Sequence, residues 1–290
     1  MVENRGKDKI FNIAIMVIMG IYALITLFPL LHVLANSFSS SDFVNKGSVG
    51  IWPRGWTFDN YEKVLQETSI WRGYANTLLY TAIGTVIQLV LQFTAAYPLS
   101  RKDFRGRTFF SMFFVLTMFI QGGLIPTFLV VKALGMLNTI WAMIIPGCVG
   151  VFNIIIIRTY ITSTIPNELQ EAAQIDGCGN LRIFLSVVIP LCKPILAVMT
   201  LYAIVGYWNS YFNSLMYLTD EKLFPLQRVL QGILVSSESS VGGIGGGEQA
   251  MMAETLKYVT IVVASAPILL IYPFFEKYFE KGIMIGGVKG

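Results

Sequence analysis

The chain has 290 residues, 54% of them hydrophobic and only 13% charged. A soluble domain normally carries about 25% charged residues, so the composition excludes an ordinary water-soluble protein. The net charge of +4 could suggest a nucleic-acid partner, but the basic residues are distributed as a membrane topology distributes them, gathered on one side of the apolar stretches.

A helix rising 1.5 Å per residue needs ~20 apolar residues to cross a ~30 Å hydrocarbon core. Six stretches meet this, at residues 11–35, 75–98, 108–131, 139–161, 196–218 and 258–275. The expected fold class is therefore an all-α membrane protein, a single integral domain over 1–290 embedded in the lipid bilayer with six transmembrane helices. Arg5, Lys7 and Lys9 precede the first stretch, and Val33-Leu34-Ala35 resembles a signal-peptide cleavage site. The apolar run is about twice the length of a usual signal-peptide core, so a retained anchor is expected. His32, the one histidine, lies near the far end of this span and reads as a hydrogen-bonded structural residue.

Residues 36–74 form the first long loop. Its Trp52-Pro53-Arg54-Gly55-Trp56 is turn-forming and aromatic, and Tyr61 to Gln66 suits a short surface helix. The aromatics fit either the headgroup layer or an external partner. The short loops orient the chain: residues 99–107 carry Arg101, Lys102, Arg105 and Arg107, whereas 132–138 carry Lys132 alone. By the positive-inside rule both termini and the 162–195 loop are cytoplasmic, and loops 36–74 and 219–257 are outside. Pro29, Pro126, Pro146, Pro267 and Pro273 punctuate the spans, as a bundle tolerates when neighbours satisfy the freed carbonyls. The glycine- and serine-rich run 236–247 has no apolar face to bury and is expected to be a flexible linker.

No span carries Asp, Glu, Lys or Arg near its middle; Arg158 lies near the inner end of the fourth, where it can snorkel to the interface. Ion-coupled carriers usually need intramembrane ionisable groups, although sodium sites made of backbone carbonyls in broken helices stay open. There is no G-x4-G-K-[ST] sequence, so energy for uphill transport must enter from another polypeptide. Cys148, Cys178 and Cys192 suggest neither a disulfide framework nor a metal site. With no nucleophile, base or metal set, the chain does not read as an enzyme and is expected to bind no cofactor itself.

The spans do hold uncharged polarity. Tyr202, Gly206, Asn209 and Asn213 follow the i, i+4, i+7, i+11 spacing of one helical face; Gln88 and Gln92 pair at i, i+4 on the second span, and Asn153 lies in the fourth. Phenols and amides on a common axis suit a hydroxyl-rich solute. The same groups also suit interhelical hydrogen bonds, worth about 0.6–2 kcal/mol each.

The 162–195 loop reads as helix-turn-helix. Pro166 suits a first helical position and Glu168 the first turn. The helix runs through Glu171-Ala172-Ala173 and stops at Asp176-Gly177, where glycine supplies a left-handed cap. Asn180 is then expected to cap a second helix ended by Pro190. The small alanines beside Glu168, Glu171 and Asp176 would let the first helix lie in a partner's groove lined with basic residues.

Glu171-Ala172-Ala173, three residues, Gly177, nine residues and Val187-Val188-Ile189-Pro190 closely resemble the E-A-A-x3-G-x9-I-x-L-P signature (the EAA motif) of ABC importer permeases. The departures are conservative, at Val187 and Ile189. Phe58-Asp59-Asn60-Tyr61, Asn76-Thr77, Ser100 to Arg107, Trp208-Asn209 and the ending from Lys281-Gly282 to Gly286-Gly287-Val288-Lys289-Gly290 extend the likeness over the chain. They resemble the shorter, six-span MalG-like permease of carbohydrate importers, above all oligosaccharide permeases of Gram-positive-type bacteria. The resemblance implies a multi-pass subunit of the bacterial plasma membrane that forms half of a sugar pathway. It also implies a second homologous permease, two ATPase subunits holding ATP and Mg, and an extracytoplasmic solute-binding protein. The 168–190 segment would dock the ATPases, and in some relatives the tail, here Gly286, Gly287 and Lys289, reaches between them. The competing expectation is an autonomous carrier or channel for a neutral polar solute.

Overall fold

A computed structural model describes the backbone of residues 5–241 and 247–287, and the side chains of 9–235 and 255–276. All regular structure in this range is helical apart from an isolated antiparallel bridge between Ser39 and Trp56. The helices are α1 (Arg5–Ser37), α2 (Ser41–Asn45), α3 (Asp59–Gln66), α4 (Thr68–Ser100), α5 (Arg107–Phe119), α6 (Leu124–Ala133), α7 (Ile140–Ile144) and α8 (Val151–Thr164). They continue with α9 (Asn167–Ile175), α10 (Asn180–Ile183), α11 (Ile189–Leu191), α12 (Lys193–Trp208), α13 (Tyr211–Tyr217), α14 (Leu226–Val241) and α15 (Gly247–Gly287). Contacts divide the chain into two compact units, Met1–Ile70 with Leu230–Ala266 and Trp71–Val229 with Pro267–Gly290.

In the first unit, α1 leaves its apolar side chains exposed along its length until Ala35, Val44 and Val49 close a small core against Tyr258. His32 is structural, as expected: its Nδ1 lies 2.9 Å from the Gly50 carbonyl and its Nε2 3.1 Å from the Asn36 amide nitrogen. Its ring sits between Phe28 and Tyr258. Phe38 gathers Trp56, Phe58 and Tyr61, with ring centroids 5.9, 5.5 and 4.9 Å away. The helix expected near Tyr61–Gln66 is α3.

In the second unit, α4, α8 and the α10–α12 segment share a core. On α8, Ile154, Ile157 and Ile161 fall at i, i+3 and i+7 and are fully buried together with Phe93, Ile183, Val188, Cys192 and Met199. The loop end of α4 is tied down by side chains. Asn76 Nδ2 donates to the Lys222 and Phe224 carbonyls (2.8 and 3.0 Å), the Tyr80 hydroxyl to Leu223 (2.8 Å), and Thr77 Oγ1 accepts from the Leu226 amide (2.8 Å).

The six continuous spans are not reproduced. Among the described residues three helices are long and apolar enough to cross a membrane, Lys9–Ser37, Thr68–Ser100 and Thr255–Glu276, or up to five if each of two bent pairs is one span. The third expected span breaks between α5 and α6 with a 113° bend, where Gly122-Gly123 interrupts it and Gly123 takes φ +81°. The fourth separates into α7 and α8 around Pro146, which lacks an N–H and crowds the carbonyl four residues back. At 14 residues, α8 alone rises about 21 Å, short of the ~30 Å core. The fifth ends at Trp208 and resumes at Tyr211. The run 236–247, expected to be a linker, is helical through Val241 as the end of α14 and again at Gly247; 242–246 lie outside the described residues.

Gly84 shows why glycine sits in the middle of α4. A Cβ there would stand 2.4 Å from the Tyr207 ring, whose hydroxyl donates to the Ile144 carbonyl at 3.0 Å. Gly84→Ala forces that ring away and is expected to cost on the order of 1–3 kcal/mol. Gly206→Ala meets open space and is expected to be neutral or stabilising. Thermal unfolding of the two variants in detergent checks the contrast.

Candidate functional site

The EAA segment is built from local rules. Pro166 precedes α9 rather than opening it: its extended backbone (ψ 140°) makes it the N-cap and Asn167 the first helical residue. The helix is closed at its other end by a double backbone clasp. The Gly177 amide donates to Gln174 (3.0 Å) and the Cys178 amide reaches back to Ala173 (2.9 Å), the Schellman pattern that needs a left-handed residue. Gly177 supplies it at φ +77°. Ala173 and Cys178 pack against the core of the second unit, adding the apolar contact that accompanies such caps.

Two sequence expectations fail just beyond. Asn180 does not cap the next helix; Gly179, with ψ 160° and no side chain, is the N-cap and Asn180 the first helical residue. Pro190 does not stop it directly either. The helix widens into a π-turn over Phe184–Val188, which makes room for the proline ring against the carbonyl four residues back. It ends at Leu191, and the chain bends by 83° into α12 at Cys192.

The two faces of α9 differ. Gln170, 7% exposed, and Ala173 turn inward, while Glu168, Glu171, Ala172, Asp176 and Gly177 are exposed. Ile175, 87% exposed, stands among these residues, and Leu169, 47% exposed, lies at their flank. So of the two alanines only Ala172 faces out, and the exposure of Leu169 and Ile175 has no local sequence signal, since i, i+6 is not a same-face spacing.

The sequence also hid what anchors α9. Arg101, just past the end of α4, donates from Nη1 to Gln170 Oε1 (3.0 Å) and to the Tyr97 hydroxyl (3.2 Å). Its Nε and Nη2 chelate both oxygens of Asp103 at 2.8 and 2.7 Å. A cleft of about 230 Å³ between this loop and α9 is lined by Lys102, Glu168, Glu171 and Gln174 among others. The bidentate hydrogen bonds from Arg101 hold the Asp103 carboxyl below the usual carboxylate range.

The candidate pathway residues fall in separate places. Tyr202 and Gly206 are exposed on α12 and Asn209 is exposed at its C-cap, where Asn209 Nδ2 donates back to Val205 O (3.0 Å). Asn213 leaves that face because the helix breaks before it; it is half-buried on α13. Gln88 and Gln92 point into the unit, Gln92 fully buried. Gln92 and Asn153 flank Gly150, their amide nitrogens 3.4 and 3.2 Å from where its Cβ would stand. Thr81 and Thr85, overlooked in the sequence, continue the buried polar face of α4 at i, i+4, i+7, i+11 with the glutamines. Gly286 and Gly287 close α15, Lys289 lies outside the described residues, and no cluster of three or more His, Cys, Asp or Glu suited to a metal occurs among the described residues.

Two outcomes follow from this geometry. Gly177→Ala meets no neighbour within 4 Å and is expected to cost only the left-handed strain of about 1–2 kcal/mol. Gly177→Pro also deletes the amide bonded to Gln174 and should release the end of α9; hydrogen exchange at 172–178 distinguishes them. Because the folded pKa of Asp103 is lowered, its carboxylate supports the loop above about pH 4 and loses that effect as pH falls through the lowered value. Asp103→Asn should therefore speed amide exchange at 101–107 at pH 7, with the gap from wild type closing in acid.

Residues 88–285 match the family described as binding-protein-dependent transport system inner membrane component. Protein LplC of Bacillus subtilis is 36% identical over 99% of this chain and 98% of its own length. The polygalacturonan/rhamnogalacturonan transport system permease protein YtcP of the same organism is 37% identical over 98% and 100%. Among solved structures, a chain of a bacterial ABC transporter that imports the acidic polysaccharide alginate superposes with a TM-score of 0.83 at 35% identity, covering 94% of this chain and 98% of that one. A second chain, from an alginate ABC transporter in complex with an alginate pentasaccharide-bound periplasmic protein, shares the fold at a TM-score of 0.60 and 17% identity, over 95% and 97%. With its clasped EAA helix and helical membrane architecture, the chain belongs to the family of inner membrane components of binding-protein-dependent transport systems.

Proposed function

We propose that this permease forms half of the translocation pathway for a sugar or oligosaccharide, and that α9 is where a separate ATPase takes hold. The observation that carries the docking role is the two-faced build of α9: Gln170 and Ala173 fix it to the unit, while Glu168, Leu169, Glu171, Ala172 and Ile175 stand outward. An exposed apolar patch rimmed by charge is the usual mark of a protein interface. Carbohydrate cargo is supported by the relatives whose names state one, polygalacturonan/rhamnogalacturonan and alginate. The complement is a second permease, two ATPases carrying ATP and Mg, and an extracytoplasmic binding protein. The chain is a transport subunit and not an enzyme, binds no cofactor itself, and sits in the bacterial plasma membrane with both termini cytoplasmic. Tyr202, exposed on α12, and Asn209, exposed at its C-cap, are the pathway candidates this arrangement favours; Gln88, Gln92 and Asn153 serve the interior of the unit.

Glu171→Lys reverses charge in the middle of the docking face without touching the anchored side. Like-charge contact at an interface costs several kcal/mol, so uptake and substrate-stimulated ATP hydrolysis should fall by about tenfold or more at unchanged membrane yield. The tagged chain, purified in mild detergent, should bring down a second permease and an ATPase, the ATPase being lost in the variant. Transport by the chain alone in liposomes would instead establish a self-sufficient carrier.

A further inference from the structure

Sharing Arg101 and Asp103 with the cleft beside α9, a second groove of about 380 Å³ lies between the end of α4, the 101–106 loop and the start of α10. Pro98, Phe104, Leu181 and Phe184 make its apolar floor; Leu181 is 70% exposed. Its rim is cationic and hydrogen-bonding, with Arg101, Arg105 and Asn180. Arg101 is already committed to Asp103, Tyr97 and Gln170, and Asp103, which also lines the groove, offsets its charge. Arg105 is the uncompensated cation, with no ion pair among the described residues.

A track leads into the groove along α4. Val86 and Val90 are exposed, and Thr94, at the next i+4 position, lines the groove itself. The Thr94 hydroxyl is turned back onto the carbonyls of Val90 and Leu91 (2.7 and 3.1 Å), so the polar end of its side chain is already satisfied. A ligand matching this surface is apolar along α4 and Leu181 and anionic at Arg105.

We propose that the groove binds an anionic glycerophospholipid, its phosphate at Arg105 and Asn180 and an acyl chain along Val86, Val90 and Thr94. Because Arg101 joins this groove to Gln170 of α9, the bound lipid stiffens the base on which the docking helix rests. The site goes beyond the importer reading; only its placement in the inner leaflet rests on that reading.

The test is native mass spectrometry of the detergent-purified full-length chain titrated with dioleoylphosphatidylglycerol or dioleoylphosphatidylcholine. The expected result is a phosphatidylglycerol adduct preferred over phosphatidylcholine. Arg105→Gln should weaken it about fivefold, the worth of one basic residue near an anionic lipid, and Leu181→Gln should weaken it too. Lys102→Gln, whose side chain does not line this groove, should leave it unchanged. Equal binding of the two lipids, or equal loss from Lys102→Gln and Arg105→Gln, would reduce the effect to general surface charge and overturn the site. Displacement of the lipid by soluble glycerol 3-phosphate would equally overturn it, by showing a free phosphate site. None of these outcomes bears on whether an ATPase docks α9, which the pull-down reads separately.

Discussion

A backbone N–H or C=O left unpaired in hydrocarbon costs several kcal/mol, and that constraint governs where this chain is allowed to bend. The third, fourth and fifth expected spans are all interrupted, and around the fourth and the turns beside it side chains meet the polar groups that are released. The Ile144 carbonyl, at the end of α7, receives the Tyr207 hydroxyl, and Gly84 leaves the space that lets the ring reach it. Asn138, one of the turn residues before α7, accepts from the Thr219 and Asp220 amides at 3.0 and 2.8 Å. Asn76, Thr77 and Tyr80 secure the Lys222–Leu226 turn in the same way. Breaks of this kind are tolerable because the polar side chains that satisfy them come from neighbouring segments of one unit.

Which features were legible in the sequence depends on how far their causes reach. The end of α9 was legible because a left-handed glycine acts over a few residues, and Asp176-Gly177 says so directly. The α1, α4 and α15 helices were legible because an apolar run of membrane length has few alternatives. The broken spans were not, since hydropathy counts apolar atoms and is blind to hydrogen bonds. Gln121-Gly122-Gly123 sits inside an apolar run while its backbone turns by more than a right angle. Asn180 was misread for a related reason. A good capping side chain is dispensable where Gly179 already adopts the extended backbone that a cap requires. The Arg101–Gln170 bond joins residues 69 apart in sequence, and no local pattern announces such a pairing.

That pairing matters for how a push on α9 would travel. A nine-residue helix is too short to be stable alone, so its rigidity is borrowed from what it touches. On one side its cap feeds Ala173 and Cys178 into the core built on α4 and α8. On the other, Gln170 is held by Arg101 at the very end of α4. Displacing α9 without moving α4 would have to break a charged hydrogen bond and open a close-packed core, and such cores do not deform continuously. The packing therefore makes α4, the longest uninterrupted helix of its unit, the natural lever for any motion imposed on α9.

The build of α4 also tells what surrounds it. In water an amphipathic helix hides its apolar face and displays its polar one. Here the order is inverted: Thr77, Thr81, Thr85, Gln88 and Gln92 are buried, while Leu78, Leu79, Val86, Val90 and Leu91 are exposed. In an aqueous setting the exposed side would be a large aggregation-prone patch and the buried side an uncompensated desolvation cost. Against lipid the apolar face is matched; on the buried side Thr77 Oγ1 accepts from the Leu226 amide, while the Thr81 and Thr85 hydroxyls and the Gln92 amide have no hydrogen-bond partner among the described residues. The inversion is confined to the middle of α4, since Phe93, Ala96, Tyr97 and Leu99 bury apolar groups towards its end, and it does not depend on how the broken helices are counted as spans. An exposed apolar face of this kind is what a helix of a membrane-embedded unit presents to lipid.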